Sequence, residues 1–235
     1  MDRNYSDKIV NLQRKAIESQ KGTFTRWINE KLKNRKPLIQ IENNLFEEIR
    51  DGKILLALLE AFTHETFNSE GKQKANRIHS MNNLNNVFNY LTARGIQLHG
   101  INKEGILDGK PQAVLALLWK FIHHKHRLSD KSITGVFQSD KKHKKRLLNW
   151  ASNQINQSNC RVPFKEETRD IKNFGSNWAD AKNFFNLIHA LDSSALPGDI
   201  KTIYSKQNNK QNLQLSFDIA EQKLGIPQLL VPEGE

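Results

Sequence analysis

The chain repeats itself at a nearly constant distance, and that repeat limits the folds open to it more than any other feature. Asp51 and Asp180, Leu59 and Ile188, and Leu84 and Leu213 each stand 129 positions apart. Gly95 and Gly225 are 130 apart, and Trp27 and Trp150 are 123 apart. Offsets that hold across several segments are the mark of a duplicated domain, and recognising them comes before any local reading. With 235 residues, the duplication leaves about 100 residues per copy, a common domain size.

Each copy reads as helical. Phe24, Trp27, Ile28 and Leu32 recur at i, i+3, i+4 and i+8, the spacing of one apolar helix stripe. Thr23, after Gly22, is the expected N-cap of that helix. Residues 53–62 are apolar nearly all round, which predicts a buried central helix. Asp51 is its expected N-cap. Leu84, Val87, Phe88 and Leu91 form another stripe, closed by Gly95. Pro111 suits the first turn of a helix carrying Val114, Leu115, Leu117, Leu118, Phe121 and Ile122. The second copy repeats the series with Leu147, Leu148 and Ile155, then Phe184, Phe185, Leu187 and Ile188, then Leu213, Phe217 and Leu224. No stretch alternates with period two, so the expected class is all-α. The expected division is a flanking arm over 1–20, a first domain over 21–128, a linker over 129–139 and a second domain over 140–235.

Charge narrows the partners. Lys and Arg total 36 against 25 Asp and Glu, a net charge of +11. Such a surplus favours an acidic partner: nucleic acid, an anionic membrane or an acidic protein surface. It is concentrated in two places. Residues 1–36 hold ten basic and four acidic side chains, and five cations (Lys141, Lys142, Lys144, Lys145, Arg146) fall within six positions. No apolar run approaches the ~20 residues that cross a bilayer as a helix. The opening MDRNYSDKIVNLQRK is polar and mixed in charge, unlike a secretory signal peptide. Cys160 is the only cysteine, which excludes an internal disulfide and fits a reducing compartment.

Taken in order, FTRWINEKL, IRDGKILLALLEAF, NRIHSMNNLNNVFNYLTARGI and ILDGKPQAVLALLWKFI resemble the first calponin-homology domain of a tandem actin-binding domain. KRLLNWASNQI, FGSNWADAKNFFNLIHALDSSALP and NLQLSFDIAEQKLGIPQLL resemble the second. The pattern is similar to the actin-binding domains of α-actinin, filamin, spectrin and cortexillin. One departure is Trp178-Ala179-Asp180-Ala181, where the family has a Gly at the last position. Lys182 and Asn183 follow where the family has Leu and a small residue, so that helix start is expected to pack less tightly. A counterpart of the helix that begins at Pro111 would start near position 240. The second domain therefore reads as lacking its final helix, and the natural protein is expected to continue past Glu235.

The resemblance implies three filament-contacting regions. The first is the outer face of the opening helix, Thr25, Arg26, Asn29 and Lys33. The second is the outward side of the helix from Pro111, namely Gln112, Leu115, Trp119, Lys120 and His123. Trp119 reads two ways, as a core indole or as a contact with the filament or the partner domain. The third is the basic entry to the second domain, Lys141, Lys142, Lys144, Lys145 and Arg146. The implied function is that of a non-enzymatic actin-filament-binding module of a cytoskeletal crosslinking or membrane-skeleton protein. The first domain would dock and the second would modulate access. Implied partners are actin filaments and a phosphoinositide membrane surface, at the cytoplasmic actin cytoskeleton and cell cortex. The chain itself is expected to be monomeric, with any dimerisation of a parent protein left to other segments.

The alternative is a basic helical protein that binds nucleic acid or phosphoinositide. Against nucleic acid, no recognised motif is present, and the aromatics sit on apolar stripes instead of interleaving with cations. No cofactor or metal is expected. His123, His124 and His126 diverge on a helix, and neither a glycine-rich phosphate loop nor a calcium loop is present.

Overall fold

The computed structural model describes residues 3–69, 76–124, 128, 140–157, 162–164, 171–230 and 232, with backbone only at 3–6, 9 and 140–143. The chain divides into two compact units, Met1–Gly135 and Val136–Glu235. Every regular element among the described residues is a helix.

The first unit opens with α1 (Arg3–Leu32), followed by α2 (Leu45–Glu48), α3 (Lys53–Thr63), α4 (Arg77–Ala93), α5 (Lys103–Leu107) and α6 (Pro111–His123). Its centre is α3, whose Ile54, Leu55, Leu56, Ala57, Leu58, Leu59 and Phe62 are all buried. Helices α1 and α4 pack against α3, and α6 packs against α1 and α5. The stripe Phe24, Trp27, Ile28 and Leu32 is buried as its spacing predicts. Helix α4 stops at the expected place, with Gly95 at φ 70.

Two expected caps fall elsewhere. Helix α1 runs unbroken through Gly22 and Thr23, so Thr23 is an interior residue and not an N-cap. Arg26 folds back over Gly22, its guanidinium nitrogens 3.6 and 3.7 Å from where a Cβ would stand. Lys21 lies over the Phe46 ring at 5.7 Å. The helix continues through Gly22 although glycine costs about 1 kcal/mol relative to alanine there. The N-cap of α3 is Gly52, at φ 77, and Asp51 supports the turn by accepting the Lys53 N–H at 2.9 Å.

The second unit contains α7 (Asp140–Gln157), α8 (Lys182–Leu191), α9 (Ile200–Ser205) and α10 (Asn209–Leu224). Helix α8 takes the central place, packed on α7 and α10. Phe164, Ala181, Phe185, Ile188, Ala195, Ile200 and Ile219 form its core, with Tyr204, Leu213 and Leu224 packed around them. The turn into α8 repeats two features of the turn into α3. Asp180 accepts the Lys182 N–H at 3.1 Å, and Ala181 takes the left-handed conformation, φ 67. Asn183 is buried and donates to the Asn177 carbonyl at 2.6 Å, while its own Oδ1 has no hydrogen-bond partner. A buried polar atom left without a partner is a cost at this helix start. Helix α10 carries a complete capping box, Asn208 with Gln211, and closes at Gly225, φ 65. Among the described residues no helix follows Leu224.

Candidate functional site

On α1, Thr25 and Arg26 are half-buried, and burial holds the Arg26 guanidinium below its ordinary pKa. Lys33 is exposed and pairs with Glu30 at 2.6 Å. Asn29 is half-buried, and its side-chain amide is engaged with the chain's own backbone. Its Nδ2 donates to the Ile41 carbonyl at 2.9 Å, and its Oδ1 accepts the Ile41 N–H at 2.8 Å. The side chain thus satisfies both backbone groups of a buried residue in the loop that follows α1.

On α6, Gln112 and His123 are exposed and Lys120 is half-buried. Leu115 is buried at 6 % exposure, so it belongs to the core and not to an outward face. The physical reason is that α6 is gripped by both α1 and α5, which widens its buried arc beyond a single stripe. Trp119 is not a fully buried core indole. It is 45 % exposed, yet its ring meets Phe24 of α1 edge-on at 5.3 Å and His123 at 5.2 Å. Through that contact the structure brings the α1 and α6 candidates together on one unit. The third candidate group stands on the other unit. Lys144, Lys145 and Arg146 are exposed on α7, while the side chains of Lys141 and Lys142 lie outside the described residues.

Two clefts accompany these faces. One of about 720 Å³ in the first unit is lined by Ile39, Arg50, Lys53 and Arg77 among others. Its cations are paired: Arg50 with Glu47, Lys53 with Asp51, and Arg77 with Asp108. The other, of about 870 Å³, lies in the second unit between the ends of α7, α8 and α10. Sequence periodicity does not reveal it, because its walls are amides and helix termini. Among the described residues, no three His, Cys, Asp or Glu side chains are placed to hold a metal ion. Cys160 and His126 lie outside the described residues. No helix among the described residues is long and apolar enough to cross a membrane.

The family model for the calponin homology (CH) domain matches residues 18–127 and again 141–235. Muscle-specific protein 300 kDa of Drosophila melanogaster is 31% identical over 256 residues, covering 97% of this chain and 2% of that protein. Microtubule-actin cross-linking factor 1 of Homo sapiens is 33% identical over 226 residues, covering 96% of this chain and 3% of the relative. Human calmin is 29% identical over 259 residues, covering 96% of this chain and 25% of calmin. The chain thus spans a quarter or less of the length of these relatives. The crystal structure of the actin-crosslinking core of Schizosaccharomyces pombe fimbrin superposes with a TM-score of 0.67 at 22% identity, covering 92% of this chain and 44% of the fimbrin chain. That likeness is one of fold. With both of its halves matched in order, the chain belongs to the calponin homology domain family, as two such domains in tandem.

Proposed function

We propose that this chain is an actin-filament-binding module that works by shape-matched docking and has no catalytic role. The observation that carries the reading is the pair of calponin homology matches in one chain, joined to a 33% identical relative named for cross-linking microtubules and actin. The α1–α6 face of the first unit is the docking surface. It offers a rigid aromatic anchor, Trp119 braced on Phe24, and the same two helices carry the cations Arg26, Lys33 and Lys120. Aromatic and arginine side chains of this kind dominate protein interfaces. The surplus of positive charge speeds encounter with an acidic filament and makes the attachment salt-sensitive. The second unit modulates access. Its exposed Lys144, Lys145 and Arg146 meet either the filament or the phosphates of a phosphoinositide surface. The place of action is the cytoplasmic actin cytoskeleton and cell cortex.

One experiment separates the readings. The chain is pelleted side by side with actin filaments, microtubules, and vesicles with and without phosphoinositide, and it is also tested for DNA retention. Saturable co-sedimentation with actin, weakening as salt rises, is the expected result. Binding to microtubules or DNA without binding to actin overturns the proposal. A monomeric chain carries one filament site, so it should decorate filaments without bundling them.

A further inference from the structure

From Asp7 to Gln20 of α1, every described side chain except that of Ile17 is exposed, and the first buried residue of the helix is Phe24. Val10 is 48% exposed and Leu12 66% exposed. A stretch of about 15 residues is only marginally helical by itself in water, and most helices in proteins are held by the packing of an apolar side. Here the apolar side stands uncovered.

The order of side chains around the helix says what suits it. At about 100° per residue, Leu12, Ala16, Gln20, Gln13, Ile17 and Val10 follow one another across an arc about 160° wide. Between Asp7 and Lys21 no charged residue falls within that arc. Lys8 and Lys15 border it beside Leu12, and Arg14 and Lys21 border it beside Val10. The acids Asp7 and Glu18 lie on the opposite side with Asn11. Lys21 is partly engaged, 3.7 Å from Glu18 and over the Phe46 ring, whereas Lys8, Arg14 and Lys15 are exposed.

We infer that this stretch of α1 seats itself in the interfacial layer of an anionic bilayer, with Val10, Leu12, Ala16 and Ile17 toward the acyl chains and the bordering cations among the headgroups. A coiled-coil partner needs a narrow apolar seam, and the seam positions Val10, Gln13, Ile17 and Gln20 are half glutamine. A wide arc suits a planar interface instead. A second copy would set rows of cations against each other along both edges. Cations that border an apolar arc can bury their stems while their charged ends reach anionic headgroups. The arc faces the same way as the buried Phe24, Trp27 and Ile28, so the stretch lies flat on a surface by swinging away from the unit. Gly22, the one glycine of α1, stands at that junction. The atoms nearest a Cβ there belong to the Arg26 guanidinium, at 3.6 Å and beyond, and helices bend readily at glycine. This surface is separate from Lys144, Lys145 and Arg146, and it requires negative charge but no phosphoinositide.

The test floats the whole chain with vesicles of phosphatidylcholine alone, with added phosphatidylserine, and with added phosphoinositide. Saturable binding to the phosphatidylserine vesicles, and little to phosphatidylcholine alone, is the expected result. A chain with Gln13→Cys and Cys160→Ser, carrying an environment-sensitive dye, should shift to the blue on those vesicles and be quenched by brominated acyl chains. Val10→Glu with Leu12→Glu should weaken binding about tenfold or more, and Lys8→Ala with Arg14→Ala and Lys15→Ala by a similar factor. All five positions are exposed, so thermal unfolding of both variants should match the parent. The inference is overturned if phosphatidylserine vesicles are not bound, if either variant binds them as the parent does, or if the dye stays in water. Binding that requires phosphoinositide and survives the Val10 and Leu12 changes belongs to the second unit and rejects it. A dimer that those changes abolish in sedimentation assigns the arc to a second copy and rejects the lipid. Loss of actin pelleting by that variant, with vesicle binding intact, assigns the arc to the filament and likewise rejects it. The vesicle readouts contain no actin, so their failure is distinct from failure of filament binding.

Discussion

Gly52 and Ala181 hold the same left-handed turn, at φ 77 and 67, one before the central helix of each unit. A Cβ on Gly52 would stand 2.9 Å from the Cβ of Asn83, whereas Ala181 carries that atom. Asn83 donates to the Asp51 carbonyl across the turn at 2.9 Å. Its repeat partner Asn212 instead donates to the Tyr204 and Gln207 carbonyls at 3.2 and 3.4 Å, and its Oδ1 is buried without a partner. The second unit thus accommodates its alanine by giving up the hydrogen bond that ties the turn to the neighbouring helix.

A left-handed residue with a Cβ costs about 1–2 kcal/mol, and glycine returns roughly 0.4–1 of that through unfolded-chain entropy. Ala181→Gly relieves that strain but removes a fully buried methyl worth about 0.8 kcal/mol, so the second unit should change by less than about 1 kcal/mol. Gly52→Ala should destabilise the first by about 2 kcal/mol or more, because it adds a clash to the strained φ. Urea unfolding should shift far more for Gly52→Ala than for Ala181→Gly.

Asn29→Ala should act on stability and not on filament affinity. The substitution strips a donor and an acceptor from the backbone of Ile41, itself 4 % exposed, and an unsatisfied buried group costs about 1–3 kcal/mol. Thermal unfolding should begin earlier, while pelleting measured well below the transition should match the parent chain. Weaker pelleting at full folding would return Asn29 to the interface.

Reversing Arg26 and Lys33 to Glu should lower filament affinity and flatten its salt dependence. Lys33 forms only a surface pair with Glu30, and Arg26 is half-buried, so the fold should lose no more than about 1 kcal/mol. Circular dichroism establishes the fold and co-sedimentation at two salt concentrations gives the affinity. Unchanged binding by a folded double variant removes this face of α1 from the contact.

Glu48 provides a pH signature. Its carboxylate accepts the Glu42, Asn43 and Asn44 N–H groups at 2.9, 2.7 and 2.7 Å. Burial alone would push its pKa up, but the three backbone donors outweigh it and hold the carboxyl below its ordinary value. A depressed folded pKa means that the stability it contributes is present above the unfolded pKa and lost as pH falls through the folded one. Glu48→Gln should be less stable than the parent at neutral pH, and the gap should close in the acid range below about pH 4. A gap constant with pH would show that the carboxylate charge is not what holds the loop.

The helices were legible because a buried stripe must repeat at helical spacing, as Phe24, Trp27, Ile28 and Leu32 do. The faces were less so. Asn29 has the look of a surface residue, and nothing local in the sequence says that its amide reaches the backbone at Ile41. Leu115 was misplaced because its burial depends on two neighbouring helices, α1 and α5, that periodicity along α6 does not register. Thr23 has the chemistry of a cap, but the helix runs through it from Arg3 to Leu32, which no local signal at Gly22 and Thr23 reveals. Conversely, Leu147 stands on the expected stripe of the second copy and is exposed, because spacing records which residues can be covered and not whether they are.

Helix α1 spans 30 residues, about 45 Å at 1.5 Å per residue. Its first buried anchor is Phe24, so the stretch from Asp7 to Phe24 is a stiff boom about 25 Å long. A boom of that length multiplies angle into distance. A tilt of about 10° at Phe24 would sweep Asp7 through roughly 4 Å. A change of angle at the base of the helix is therefore read most sensitively at its tip, by a pair of spin labels or fluorophores.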